Sequence, residues 1–72
     1  MPLQLFQRDH CHLCDEAYEV LAVAGVADFD PRWIDGDAAL EARYGMRVPV
    51  LRREDGRELD WPFDAAAVRA FL

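Results

Sequence analysis

The sequence predicts an α/β domain of order β-α-β-α-β-β-α, a small mixed sheet with helices on both faces. Three observations carry this expectation. Short apolar runs with strand character alternate with segments whose apolar residues recur at spacings of three and four. Turn residues separate these segments in regular succession. Connections that join parallel strands through helices imply right-handed crossovers, whereas the last two strands meet at a tight turn and pair antiparallel.

Taken in order, Leu3-Gln4-Leu5-Phe6-Gln7 alternates as a strand, and Phe6 suits an internal strand covered on both faces. A helix opens near Cys11 and runs to Ala24. Leu13, Ala17, Val20, Leu21 and Ala24 recur at helical spacing and form its expected buried face. Asp15 and Glu16 suit the positive end of its macrodipole, and Gly25 closes it. A second strand is expected over Ala27–Ile34, with Phe29, Pro31 and Trp33 on one face. Pro31 has no N–H for a ladder, which places this strand at an edge. Asp35-Gly36-Asp37 reads as a turn ending in a helix cap at Asp37. Ala38–Tyr44 follows as a short helix stopped by Gly45. Asp55-Gly56 joins Val48–Arg53 to Arg57–Asp60 as a hairpin. Asp64 caps a last helix, Ala65–Leu72, with Val68, Phe71 and Leu72 turned inward. Trp33 and Trp61 read as core or sheet-edge aromatics. Arg47, Arg52 and Arg53 read as a solvated strand face, with Arg47 also placed to attract a substrate carboxylate. Without linker or repeat, residues 1–72 read as one domain.

Composition narrows the function. Hydrophobic residues make up 53% of the chain, enough for a core and too many for a disordered segment. No apolar run approaches the roughly 20 residues of a membrane span. Met1–Arg8 lacks the charged and then apolar pattern of a signal peptide. The expected setting is a monomer in the cytoplasm, without a membrane partner. Net charge is −6, with no lysine and eight scattered arginines. Nucleic acid is therefore not an expected partner, because phosphate recognition draws on clustered cations.

The chemistry concentrates in Arg8-Asp9-His10-Cys11-His12-Leu13-Cys14-Asp15-Glu16. A thiol at a helix start faces unsatisfied backbone N–H groups and the positive end of the macrodipole, which favours its thiolate. Cys14 lies about one turn further along the same face, within reach of a disulfide. Arg8 and protonated His10 or His12 favour the Cys11 thiolate, and Asp9, Asp15 and Glu16 oppose it. A metal reading would take His10, Cys11, His12 and Cys14. A closed tetrahedral site usually draws ligands from a second segment, and the chain has no other Cys or His. No metal is expected, and the pair reads as redox-active.

Cys11-x-x-Cys14 at a helix start, followed about 35 residues later by Val48-Pro49 at a strand start, resembles the thioredoxin superfamily. The length and element order resemble its glutaredoxin branch. Cys11-His12-Leu13-Cys14-Asp15-Glu16-Ala17 and Tyr44-Gly45-Met46-Arg47-Val48-Pro49-Val50-Leu51 are similar to a group of small bacterial glutaredoxin-like proteins. The resemblance implies a thiol–disulfide oxidoreductase with Cys11 as nucleophile and Cys14 as resolving thiol. It implies a cis Pro49 beside the cysteines and a Val48 main chain that pairs with substrate. It also implies a disulfide-containing protein or small thiol as substrate, recharged by a reductase or by glutathione as co-substrate. The chain departs from the glutaredoxin pattern in three places. His12-Leu13 separates the cysteines, Arg8 stands where many members have lysine, and Trp61-Pro62-Phe63-Asp64 replaces the Gly-Gly-x-Asp element that grips glutathione. Only Asp64 remains to substitute for it in part. A thioredoxin-fold adaptor that binds a protein through the same groove is the alternative, with a zinc or iron–sulfur carrier behind it.

Overall fold

The computed structural model describes residues 3–72. Met1 and Pro2, part of the N-terminal stretch read above, lie outside the described residues. The elements are β1 (Gln4–Gln7), α1 (His12–Val23), β2 (Asp30–Trp33), α2 (Ala38–Tyr44), β3 (Val50–Arg52), β4 (Glu58–Asp60) and α3 (Ala65–Phe71). The strand order across the sheet is β2-β1-β3-β4. β1 runs parallel to β2 and antiparallel to β3, and β3 and β4 form the antiparallel hairpin. This is the expected mixed α/β architecture.

β1 lies inside the sheet, so its alternating side chains are buried on opposite faces. On one face Leu3, Leu5 and Leu51 pack with Ala17 and Leu21 of α1, Val68 of α3 and Phe63. On the other, Phe6, Val50 and Ile34 pack beneath Tyr44 of α2. Phe6 stacks on Tyr44 with ring centroids 4.1 Å apart. β2 is an edge strand, and the hydrogen bonds explain how it tolerates Pro31. Asp30 and Ile34 donate to the Leu3 and Gln7 carbonyls at 2.7 and 2.9 Å. Pro31 has the opposite parity, so its missing N–H falls on the open side. The helix starts are capped as expected. Asp37 Oδ1 accepts from the Leu40 N–H at 3.1 Å, and Asp64 Oδ1 from the Ala67 N–H at 2.8 Å.

Several local expectations are corrected. Leu13 is 43% exposed, because Cys14, Ala17 and Leu21 set the inward phase of α1. One residue on a helix turns the side chain through about 100°, which leaves Leu13 on the flank of the face that Cys14, Ala17 and Leu21 bury. β2 and β3 are shorter than their apolar runs. Leu72 follows the end of α3 and is exposed. Arg47, Arg52 and Arg53 are engaged in polar contacts rather than freely solvated, as set out below. Among the described residues no helix is long and apolar enough to cross a membrane.

Candidate thiol site

Cys11 caps α1. Its backbone is extended (φ −111°, ψ 108°), and its Sγ accepts a hydrogen bond from the Cys14 N–H at 3.1 Å. The Cys11–Cys14 disulfide is closed across a Cα–Cα distance of 5.2 Å. Their environments differ. Cys11 is half-buried at the rim, whereas Cys14 is 1% exposed and belongs to the inward face of α1. The chain enters the helix through a tight turn, with His10 in the left-handed region at φ 53°. The Asp9 N–H donates to Asp35 Oδ1 at 2.9 Å, and the His10 N–H to Asp9 Oδ1 at 3.1 Å. Asp35, after β2, thereby holds the segment that presents Cys11.

The cationic residues around the pair have partners of their own. Arg8 reaches α2, where its guanidinium forms two 2.8 Å hydrogen bonds to the Glu41 carboxylate and one of 3.1 Å to the Gly45 carbonyl. The hydrogen bond and charge of Glu41 raise the Arg8 pKa above its ordinary value, so the cation is fixed. Gly45 is required by the close backbone, since a Cβ there would sit 2.5 Å from the Glu41 carbonyl oxygen. His12 pairs with Glu16 at 3.1 Å, one turn along α1, and His10 lies 3.7 Å from Asp9. With Arg8 matched by a carboxylate, the N-terminus of α1 is the electropositive feature that faces Cys11.

Extending the β1–β3 register by two residues sets Pro49 opposite Gln7 and Val48 opposite Arg8, at the sheet end that leads to Cys11. The Val48–Pro49 and Trp61–Pro62 peptide bonds are cis. Pro49 is buried, its carbonyl accepts from the Trp61 N–H at 3.2 Å, and the Val48 N–H donates to the Tyr44 carbonyl at 3.0 Å. Among the described residues no hydrogen bond to the Val48 carbonyl is found. Asp64 is placed differently. It caps α3 and borders a hollow of 300 Å³ with Glu16, Val20 and Phe63, away from the Cys11 cleft.

A network outside the thiol site braces the Val48–Pro49 segment. Arg47 bonds Glu58 at 2.7 Å and Asp60 at 2.8 Å, while Tyr44 donates its hydroxyl proton to Glu58 at 2.6 Å. Arg43 and Arg52 approach the same carboxylate at 3.4 Å. Burial works to raise the Glu58 pKa, but the hydrogen bonds from Arg47 and Tyr44 outweigh it and hold the carboxyl below its ordinary value. Arg47 is thus already engaged by two carboxylates of β4, and Arg53 by the Phe71 carbonyl and Asp55.

The sequence reading missed Gln7, Tyr18 and Trp33 as part of the site. A cleft of 430 Å³ opens on Cys11, bounded by Gln7, Arg8, Asp9, His10, Asp15, Tyr18 and Trp33. Gln7 is buried and donates to the Tyr18 hydroxyl at 2.8 Å. Trp33 is its register partner on β2. The signal was available in the spacing. Asp15 and Tyr18 stand four and seven residues beyond Cys11, on its side of the helix. Among the described residues no three His, Cys, Asp or Glu side chains cluster as a metal site would require.

A small mixed sheet between α1–α3 and α2, with a cysteine pair closing on the first turn of α1, defines a thioredoxin-like domain. The chain belongs to the glutaredoxin-like domain family (DUF836), whose model matches residues 2–72. It is similar to the X-ray structure of Northeast Structural Genomics target protein XcR50 from X. campestris. That match has 62% identity and a TM-score of 0.92, covering 96% of this chain and 92% of the other. The solution structure of the same target matches at 62% identity and a TM-score of 0.91, covering 99% and 91%. Protein Ne2328 from Nitrosomonas europaea matches at 32% identity and a TM-score of 0.81, covering 99% and 89%. No curated protein matches the chain in sequence.

Proposed function

We propose that this chain is a thiol–disulfide oxidoreductase in which Cys11 attacks and Cys14 resolves. The observation that carries the reading is the asymmetry of the pair. Cys11 Sγ lies at the rim, facing a backbone N–H of the first helical turn, while Cys14 is 1% exposed behind it. Thiolate character and access are what an attacking thiol requires. In the dithiol form, the Cys11 thiolate attacks one sulfur of a substrate disulfide, R–S–S–R. A Cys11–S–S–R bond forms and R–S⁻ leaves to take a proton. The Cys14 thiolate then attacks Cys11 Sγ and expels the second R–S⁻. Two electrons pass to the substrate, and the Cys11–Cys14 disulfide remains. A reductase protein or glutathione returns the pair to the dithiol. His10 and His12 modulate the charge beside Cys11, and the Val48 carbonyl pairs with the substrate main chain beside cis-Pro49. We assign the activity to the cytoplasm, where a reducing thiol pool sustains it.

Thiol trapping tests the division of roles. Cys14→Ser is expected to accumulate a mixed disulfide on Cys11, detected by intact mass, and Cys11→Ser to form none. Trapping on neither variant, or equally on both, overturns it.

A further inference from the structure

The cleft beside Cys11 carries information about the substrate that the sulfur chemistry alone does not. It lies where β1 and β2, the parallel pair, present their carboxyl ends. Open α/β sheets bind ligands in this position, where successive connections leave toward opposite faces. Here α1 covers one face after β1 and α2 covers the other after β2.

Two properties of its walls stand out. The first is aromatic. Trp33 is 50% exposed although it is large and apolar, and Tyr18 is 38% exposed. Tyr18 is held in place, its hydroxyl bonded by Gln7 and its ring set edge-to-face against Phe29 at 5.4 Å. The second is charge. The cleft is lined by Arg8, Asp9, His10 and Asp15. Arg8 is matched by both oxygens of Glu41, and Asp35 stands one hydrogen bond behind the Asp9 N–H. His10 is the one other lining group able to carry a positive charge. With Arg8 matched, the Asp9 and Asp15 carboxylates set the side-chain charge of the cleft walls, in a chain of net charge −6.

We infer that the Cys11 cleft selects disulfides carrying a cationic group close to the sulfur, which its Trp33–Tyr18 walls and the Asp9 and Asp15 carboxylates receive. An ammonium or guanidinium over an aromatic face is attracted by the ring quadrupole. Carboxylates at the mouth of a cleft raise the local concentration of cations and repel anions, with effects of about 10-fold and upward on encounter rates at low salt. Glutathione disulfide, which carries a net negative charge, is the disfavoured case. The inference rests on the oxidoreductase reading and refines its substrate class.

The test is a single-turnover reaction of the pre-reduced full chain with three disulfides at pH 8, where free imidazole is neutral. The probes are cystamine (cationic), hydroxyethyl disulfide (neutral) and glutathione disulfide (anionic). Each rate is divided by that of the same disulfide with dithiothreitol, which removes differences in intrinsic reactivity. The expected order is cystamine, hydroxyethyl disulfide, glutathione disulfide, with about a 10-fold span between the first and last that shrinks as NaCl is raised. Asp9→Asn with Asp15→Asn is expected to remove most of that span. Trp33→Ala is expected to slow cystamine several-fold more than hydroxyethyl disulfide. Equal normalised rates, or glutathione disulfide the fastest, overturn the inference and leave the oxidoreductase reading standing. No reaction with any of the three overturns both.

Discussion

Arg8, just after the central strand, grips both carboxylate oxygens of Glu41 on α2 at 2.8 Å, across 33 residues of sequence. The same guanidinium reaches the Gly45 carbonyl at 3.1 Å. One side chain thus links the segment entering Cys11 with the loop that precedes Pro49. A planar cation with paired donors suits this two-point contact in a way an ammonium does not.

From this geometry Arg8→Ala and Glu41→Ala are each expected to lower the melting temperature. The double variant should fall by less than the sum of the two, because both remove the same contact. A double-mutant cycle followed by thermal denaturation measures the coupling. Strict additivity would mean that the pair contributes nothing.

Glu58 makes stability depend on acidity in a defined direction. Its folded pKa is held below the ordinary value of 4.5, so the carboxylate binds protons less readily folded than unfolded. The stabilisation is complete above the unfolded pKa and is lost as pH falls through the lower folded one. Denaturant midpoints are expected to hold steady from pH 7 to about 5 and then decline. Glu58→Gln should cost about 1–3 kcal/mol at pH 7, through weakened bonds to Arg47 and Tyr44, and flatten the acid limb. An unchanged limb in that variant would show that other carboxylates govern it.

Asp64 separates a structural role from a glutathione-binding one. Asp64→Ala is expected to destabilise the fold by about 1 kcal/mol, and Asp64→Asn to retain that stability, since either Asp or Asn caps a helix well. Urea denaturation reads both. A stable Asp64→Asn protein that loses glutathione-dependent turnover would move Asp64 from cap to ligand site.

Much of this was legible before the fold was known, for reasons that are local. Asp37 and Asp64 announce helix starts through their own side chains, Asp55-Gly56 specifies a turn, and Pro31 marks an edge by lacking a donor. The cysteine pair is equally local, being held within one helical turn. What the sequence concealed depends on meetings between distant segments. Leu13 fitted the helical pattern as well as Cys14 did, and only the packing against the sheet decides which faces inward. The Arg8–Glu41 and Arg47–Glu58 pairs need the placement of α2 and β4. The Trp33–Tyr18 cleft needs the parallel register that seats Trp33 beside Gln7.

The central place of β1 has a bearing on biosynthesis. Its partner in β3 is 46 residues away at the Leu5–Leu51 pair. A ribosome therefore completes β1, α1 and β2 well before residues 50–52 emerge. Through that interval one flank of this inner strand lacks its neighbour, and unpaired strand edges invite association between nascent chains. The hairpin that closes this flank is made late, ahead only of α3, and with it the growing polypeptide covers the open side of β1.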